Sequence, residues 1–340
     1  MPSVEGLHGA RCFVTGGAGF IGSSLVRVLL RSGADVVAYD NLATGHVANL
    51  SGVGAEVSRD ARFVHGDIRD REKLARVLPG ADLVFNLACL GVRHSIHSPF
   101  ENLDVNARGT LSVLAEARAA KVRRVVHTST SEVYGTAKHV PMTEEHATDP
   151  HTVYGASKLD GECCARAFWR CYQMPVVIVR PFNAYGPRSH SEGDSGEVIP
   201  RFLVRALVGK RPVIFGDGSQ TRDFTHVYDT AAALARAAVA PGVEGETFNV
   251  GAGSEIRIAE LARVVATAVG RPDLHAEHIE ARPGDVLRLF ADSTKAQRAL
   301  GHQATVSMLE GIADLAARLR ALGEAAIQAM DAQIVVRSWT

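Results

Sequence analysis

The chain has 340 residues, and its 37 Lys plus Arg are balanced by 37 Asp plus Glu. That length suits one large domain or two modest ones, and the zero net charge argues against a general nucleic-acid binder. No run approaches the roughly 18 apolar residues of a membrane span, no opening segment resembles a signal peptide, and five cysteines without a CxxC pair fit reduced thiols in a cytoplasm.

In chain order, "RCFVTGGAGFIGSSLVRVLLRSGADVVAYDN" reads as strand, glycine turn, amphipathic helix, Gly33 stop and second strand. "ARFVHGDIRD" gives a third strand ending at Asp67, and 71–78 suits a short helix. "ADLVFNLAC" is a fourth strand, 100–119 has helical spacing, and "VRRVVHTST" is a fifth strand. Residues 152–171 read as a helix and "PVVIVRPFN" as a sixth strand. Apolar strands alternating with helices predict an α/β fold, a Rossmann-type doubly wound parallel sheet. After Arg180 the rhythm breaks into the loop "AYGPRSHSEGDSGEV", a helix over 199–208, strand and turn signals in "RPVIFGDGSQTRDFTHV", a strand in "ETFNVGAG" and a helix over 258–269. The expected division is a dinucleotide-binding domain over 1–182, rejoined by strands around 224–250. A smaller, interleaved substrate-binding lobe covers most of 183–330, and 331–340 form a tail.

Gly16, Gly19 and Gly22 stand between a strand and a helix. Glycines there let the turn close and let backbone N–H groups reach a pyrophosphate at the helix N-terminus. Asp40, 18 residues after Gly22, would accept the adenosine ribose hydroxyls and repel a 2′-phosphate, which favours NAD over NADP. Asp67 and Ile68 would border the adenine, although a strand-end cap explains their spacing nearly as well.

Tyr154 and Lys158 form YxxxK, four residues apart on one helix face. An ammonium and a positively charged nicotinamide ring would favour the phenolate of Tyr154 and make it a base. Thr130 would share a hydrogen bond with the same substrate oxygen. Histidines are many but scattered, without HExxH, and the chemistry needs no metal.

The segments "TGGAGFIG", "TSTSEVYG", "VYGASK", "RPFNAYGPR" and "RPGD" together resemble the extended short-chain dehydrogenase/reductase family, the nucleotide-sugar epimerases and dehydratases. The likeness spans nearly the whole chain. It implies tightly held NAD, a UDP- or dTDP-linked sugar, and a homodimer joined through helices that include 101–119 and 152–171. It implies Thr130, Tyr154 and Lys158 as the catalytic set, with Phe20, Ile21, Asp40, Asn41, Asp67, Ile68 and Lys158 contacting the cofactor. Asn183, Arg222 and Arg282 would hold the diphosphate, Val213 and Phe215 would flank the base, and Asp285 would meet the ribose. Read alone, Arg222 is a turn residue and Arg282 a surface-loop residue. Where galactose epimerases carry an aromatic residue near the sugar, this chain has Leu289.

Family members first oxidise the sugar at C4. An epimerase then turns the 4-keto sugar and returns hydrogen to the other face. A 4,6-dehydratase or decarboxylase needs further acid/base groups near C5 and C6. "TSE" resembles GDP-mannose dehydratases and UDP-glucuronate decarboxylases, so Ser131 would touch the sugar and Glu132 is a candidate base. "TVYGASKLDGE" looks most like the epimerases. Arg93 and Arg188 are the candidate readers of a substrate carboxylate. The leading expectation is a UDP-sugar 4-epimerase acting on UDP-glucuronate or UDP-glucose. The alternatives are a decarboxylase or dehydratase using Glu132, and a non-catalytic NAD-binding sensor.

Overall fold

A computed structural model describes residues 1–51 and 60–337. The chain runs β1 (Arg11–Thr15), α1 (Phe20–Arg31), β2 (Asp35–Asp40), β3 (Arg62–His65), α2 (Arg71–Val77), β4 (Leu83–Asn86), α3 (Val92–His97), α4 (Pro99–Leu103), α5 (Thr110–Ala119) and β5 (Arg124–Thr128). It continues through α6 (Val153–Tyr172), β6 (Val176–Pro181), β7 (Ala184–Tyr185), α7 (Val198–Leu207), β8 (Val213–Phe215), β9 (Thr221–Asp223), β10 (Thr225–His226), α8 (Val227–Val239) and β11 (Thr247–Val250). It closes with β12 (Glu255–Arg257), α9 (Ile258–Ala268), β13 (Glu277–Ile279), α10 (Thr294–Leu300), α11 (Met308–Ala321) and α12 (Glu324–Ala332).

Seven strands form one parallel sheet in the order β11-β6-β5-β4-β1-β2-β3. The order reverses between β1 and β4, so a crevice opens at their C-terminal ends, where open α/β sheets hold ligands. Every residue of β4, β5 and β6 is buried, as expected for strands covered on both faces. One face packs against α1 and α8, with Leu25, Val28, Ala231 and Leu234 in its core. The other packs against α2, α5 and α6 through Leu74, Val113, Leu114 and Ala165.

The chain leaves this layer after β6 and returns to it with α8 and β11, which pairs with β6. A second core, including Ile199, Phe202, Leu261, Val265 and Ile312, joins α7, α9 and α11 into a smaller lobe. α12 packs on α7, so the segment from 324 to 332 belongs to this lobe. Residues 338–340, the end of the expected tail, lie outside the described residues.

Candidate active site

The stretch after β5 does not remain a strand. Thr130 caps a 3-10 turn over Ser131–Tyr134, its hydroxyl accepting from the Glu132 N–H at 3.2 Å. α6 begins beside it. Thr152 caps α6 by accepting from Gly155 N at 3.2 Å, which sets Tyr154 in the first turn and Lys158 in the next. A Cβ on Gly155 would lie 2.8 Å from the Glu132 carbonyl oxygen, so only glycine lets α6 press this close to the turn.

Burial is the largest effect on the Tyr154 phenol and raises it above its ordinary value; the Cys89 thiol adds to the rise and Thr130 opposes it. Lys158 is 2 % exposed and donates from Nζ to Thr128 O at 2.6 Å. Burial lowers its ammonium below the ordinary lysine value. Glu132 is buried, its charge bears on both Tyr154 and Arg222, and its carboxylate accepts no hydrogen bond among the described residues.

Thr130, Glu132 and Tyr154 open onto a cleft of about 360 Å³ between sheet and lobe. Phe20, Ile21, Ser131, Glu132 and Asn183 line it, and Val213 and Phe215 of β8 form its far wall. Arg222 and Arg282 both donate to one oxygen of Asp285, at 2.9 and 2.6 Å. Asp285 thus fixes the two guanidiniums side by side, a suitable setting for a diphosphate. Arg93 also lines the cleft and donates to Gly196 O.

Two expectations need correcting. Arg188 does not face the cleft: its Nε and Nη2 donate to Ser23 and Ser24 of α1 at 3.0 and 2.8 Å, and its guanidinium lies over Tyr228. Its backbone sits at φ +68°, which swings the side chain toward the helix. Leu289 is fully buried in a small apolar cluster with Val133, Tyr134 and Phe182, so it stands behind the cleft wall.

Several residues that place the site went unread in the sequence. Asn106 takes Leu90 N and gives to Leu90 O, at 2.8 and 3.0 Å, while Asn102 donates to Leu90 O and Gly91 O. Ser157 of α6 donates to Asn102 at 3.0 Å. This polar knot, at a π-helical stretch over Asp104–Gly109, holds the loop after β4 against α6. Polar residues recurring four apart at 102 and 106 in a buried helix face were the available signal.

A profile of the GDP-mannose 4,6 dehydratase family matches residues 13–315. A UDP-glucose 4-epimerase of Mycolicibacterium smegmatis is 40% identical over 89% of this chain and 96% of its own. The chain belongs to this family. Members of this extended short-chain dehydrogenase/reductase branch are NAD-dependent enzymes that act on nucleotide sugars, and the present family member is one of them. A dTDP-glucose 4,6-dehydratase of Streptomyces venezuelae, solved with NAD bound, superposes with a TM-score of 0.85 at 36% identity, covering 92% of this chain and 97% of the other. A UDP-glucose 4-epimerase of Thermotoga maritima, solved with UDP-glucose, gives 0.86 at 32%, covering 92% and 100%.

The family cofactor fits the residues present. Gly16 sits at φ +67°, where a Cβ would lie 2.9 Å from Ala88 N, and a Cβ on Gly22 would collide with the Gly16 carbonyl. The turn is therefore closed tightly behind, while Gly19, the N-cap of α1, offers no side-chain cap in front. That is the cradle an oxidised dinucleotide's pyrophosphate needs. Asp40 accepts from Ala18 N and Leu42 N at 3.0 and 2.8 Å, which fixes its carboxylate at the end of β2. Asn41 donates to Asp67 at 2.9 Å, and Arg69 holds the Asp67 carboxyl down at about 2. Ile68 is buried next to them.

Proposed function

We propose that this enzyme is an NAD-dependent UDP-sugar 4-epimerase working through a transient 4-keto sugar, with UDP-glucose or UDP-glucuronate as substrate type. The observation that carries this reading is one cleft with Thr130 and Tyr154 in its reaction corner, Lys158 buried one helical turn behind Tyr154, and the Arg222–Asp285–Arg282 clamp among its walls. The epimerase relative supports it.

Bound NAD supplies the reversible removal and return of the C4 hydrogen with its electron pair. Thr130 hydrogen-bonds the sugar O4. The Tyr154 phenolate accepts the O4 proton and later gives it back. The positive charge of Lys158 favours that phenolate. Arg222 and Arg282 keep hold of the diphosphate while the freed 4-keto sugar turns.

A second reading, decarboxylation or 4,6-dehydration, is favoured by the unbonded carboxylate of Glu132, which lines the same corner of the cleft. Incubation with UDP-glucose, UDP-glucuronate and UDP-N-acetylglucosamine, followed by NMR, separates them. Unchanged mass with inverted C4 is expected; loss of water or carbon dioxide rules out the epimerase.

We also propose a homodimer through α4, α5 and α6. Phe100, Leu103, Leu111, Val153 and Tyr172 are exposed apolar residues on these helices, with Phe100 88% exposed, the kind of surface an obligate interface covers.

A further inference from the structure

We propose that Arg93 and Arg201 form a second anion subsite in the cleft, and that the sugar this enzyme takes carries a carboxylate. The proposal rests on the nucleotide-sugar reading above and narrows its substrate class to acidic sugars.

The two guanidiniums meet at one glycine. Arg93, from the segment after β4, donates to Gly196 O. Arg201, from α7, packs against the Gly196 Cα, where any Cβ would collide with its Nε, and it donates to Gly193 O. Arg201 is only 6 % exposed, and the Nε of each arginine is buried without an acceptor. Neither forms an ion pair among the described residues. A buried guanidinium with no anion is costly; burial, with Arg201 and Arg282 adding to the fall, brings Arg93 down to about 9, and burial brings Arg201 to about 10 against the opposing charges of Glu197, Glu192 and Asp194.

The nearby acids relieve them only in part, without an ion pair to either guanidinium among the described residues. Asp194 faces His97 at 2.5 Å, and Glu192 faces His190 at 2.8 Å. Glu197 accepts from His190 N, and burial pushes its carboxyl up to about 7. The diphosphate already has Arg222 and Arg282. Arg93 stands in the first turn of α3, shortly after Cys89, which bears on both Tyr154 and Lys158. The subsite therefore shares the cleft with Thr130 and Tyr154, and the charge of Arg282 bears on both of its arginines, which puts it within reach of a sugar attached to the clamped diphosphate. Two planar forks with free N–H groups match a carboxylate.

The test uses the NAD-loaded Tyr154→Phe enzyme, so that ligands bind without turning over. Calorimetry should give UDP-glucuronate a Kd at least roughly tenfold below that of UDP-glucose. Arg93→Gln and Arg201→Gln should each shrink that ratio toward one, and Arg93→Lys and Arg201→Lys should restore part of it. Thermal melting and NAD content check that each variant is folded. Equal affinities in the parent enzyme, or an equal loss for both ligands in the variants, overturn the subsite and leave the nucleotide-sugar reading standing. Failure of UDP, UDP-glucose and UDP-glucuronate all to bind overturns both.

Discussion

Arg180 of β6 grips Glu162 of α6 at two points, Nε to Oε1 at 2.8 Å and Nη2 to Oε2 at 2.6 Å. Glu162 follows Tyr154 and Lys158 at successive four-residue steps, so all three share one helix face. Arg180 also donates to Tyr134 OH at 2.6 Å, and that hydroxyl donates to Asn249 at 2.7 Å. Burial alone would push the Glu162 carboxyl up, but Arg180 and Arg166 hold it below its ordinary value. Arg180→Met leaves the buried Glu162 carboxylate with Arg166 as its remaining ion-pair partner and is expected to cost about 3 kcal/mol in denaturant unfolding. A loss under about 1 kcal/mol would show that the pair does not hold α6 in place.

Tyr154→Phe removes the proton acceptor and leaves the cofactor cradle intact. Turnover should fall by roughly a thousandfold or more while NAD stays bound. Product analysis and the bound-cofactor absorbance check both halves; full activity refutes the mechanism.

Glu132→Gln separates the two reactions. For an epimerase, the change should lower turnover by less than about tenfold, because O4 chemistry passes through Thr130 and Tyr154. A loss of about a hundredfold or more would assign Glu132 to proton transfer at C5.

Glu197 gives a pH-dependent stability effect of known sign. Its folded-state value of about 7 lies above the ordinary 4.5, so folding favours the protonated form. The resulting destabilisation is absent below about pH 4 and grows as pH rises, levelling off above about pH 7. Glu197→Gln should therefore match the parent at pH 4 and exceed it by up to about 3 kcal/mol at pH 8. Parallel stability curves for the two proteins would contradict this.

Leu103→Glu places a charge on the exposed face of α4. If the proposed dimer uses this face, light scattering should show the parent at twice the monomer mass and the variant dissociating to monomer as protein concentration falls. An unaltered mass would move the interface elsewhere.

The sheet was readable because its strands are apolar runs separated by glycine turns. α8 was not, since "VYDTAAALARAAV" is buried nearly all round and offers little contrast between its faces. Tyr154 and Lys158 announce themselves by helical spacing. Glu162 and Arg180 do not, because a strand and a helix 18 residues apart meet only through the fold. Arg222 and Arg282 were legible through resemblance alone: what distinguishes them from surface residues is the single Asp285 oxygen they share. Arg188 shows the opposite limit. Its motif was visible, but the direction of its side chain depends on a left-handed backbone angle.

That arginine ties two parts of the enzyme together. It belongs to the loop that leads into the smaller lobe, yet it is fastened to two serines on the cofactor helix. The wall of the substrate chamber and the seat of the dinucleotide are thereby latched, and opening one disturbs the other. An epimerase that returns the same hydrogen within each turnover ends with its cofactor as it began and has no call to exchange it. For the proposed epimerase the latch would be the mechanical side of that closed redox cycle, keeping the dinucleotide a resident part of the machine instead of a passing reagent.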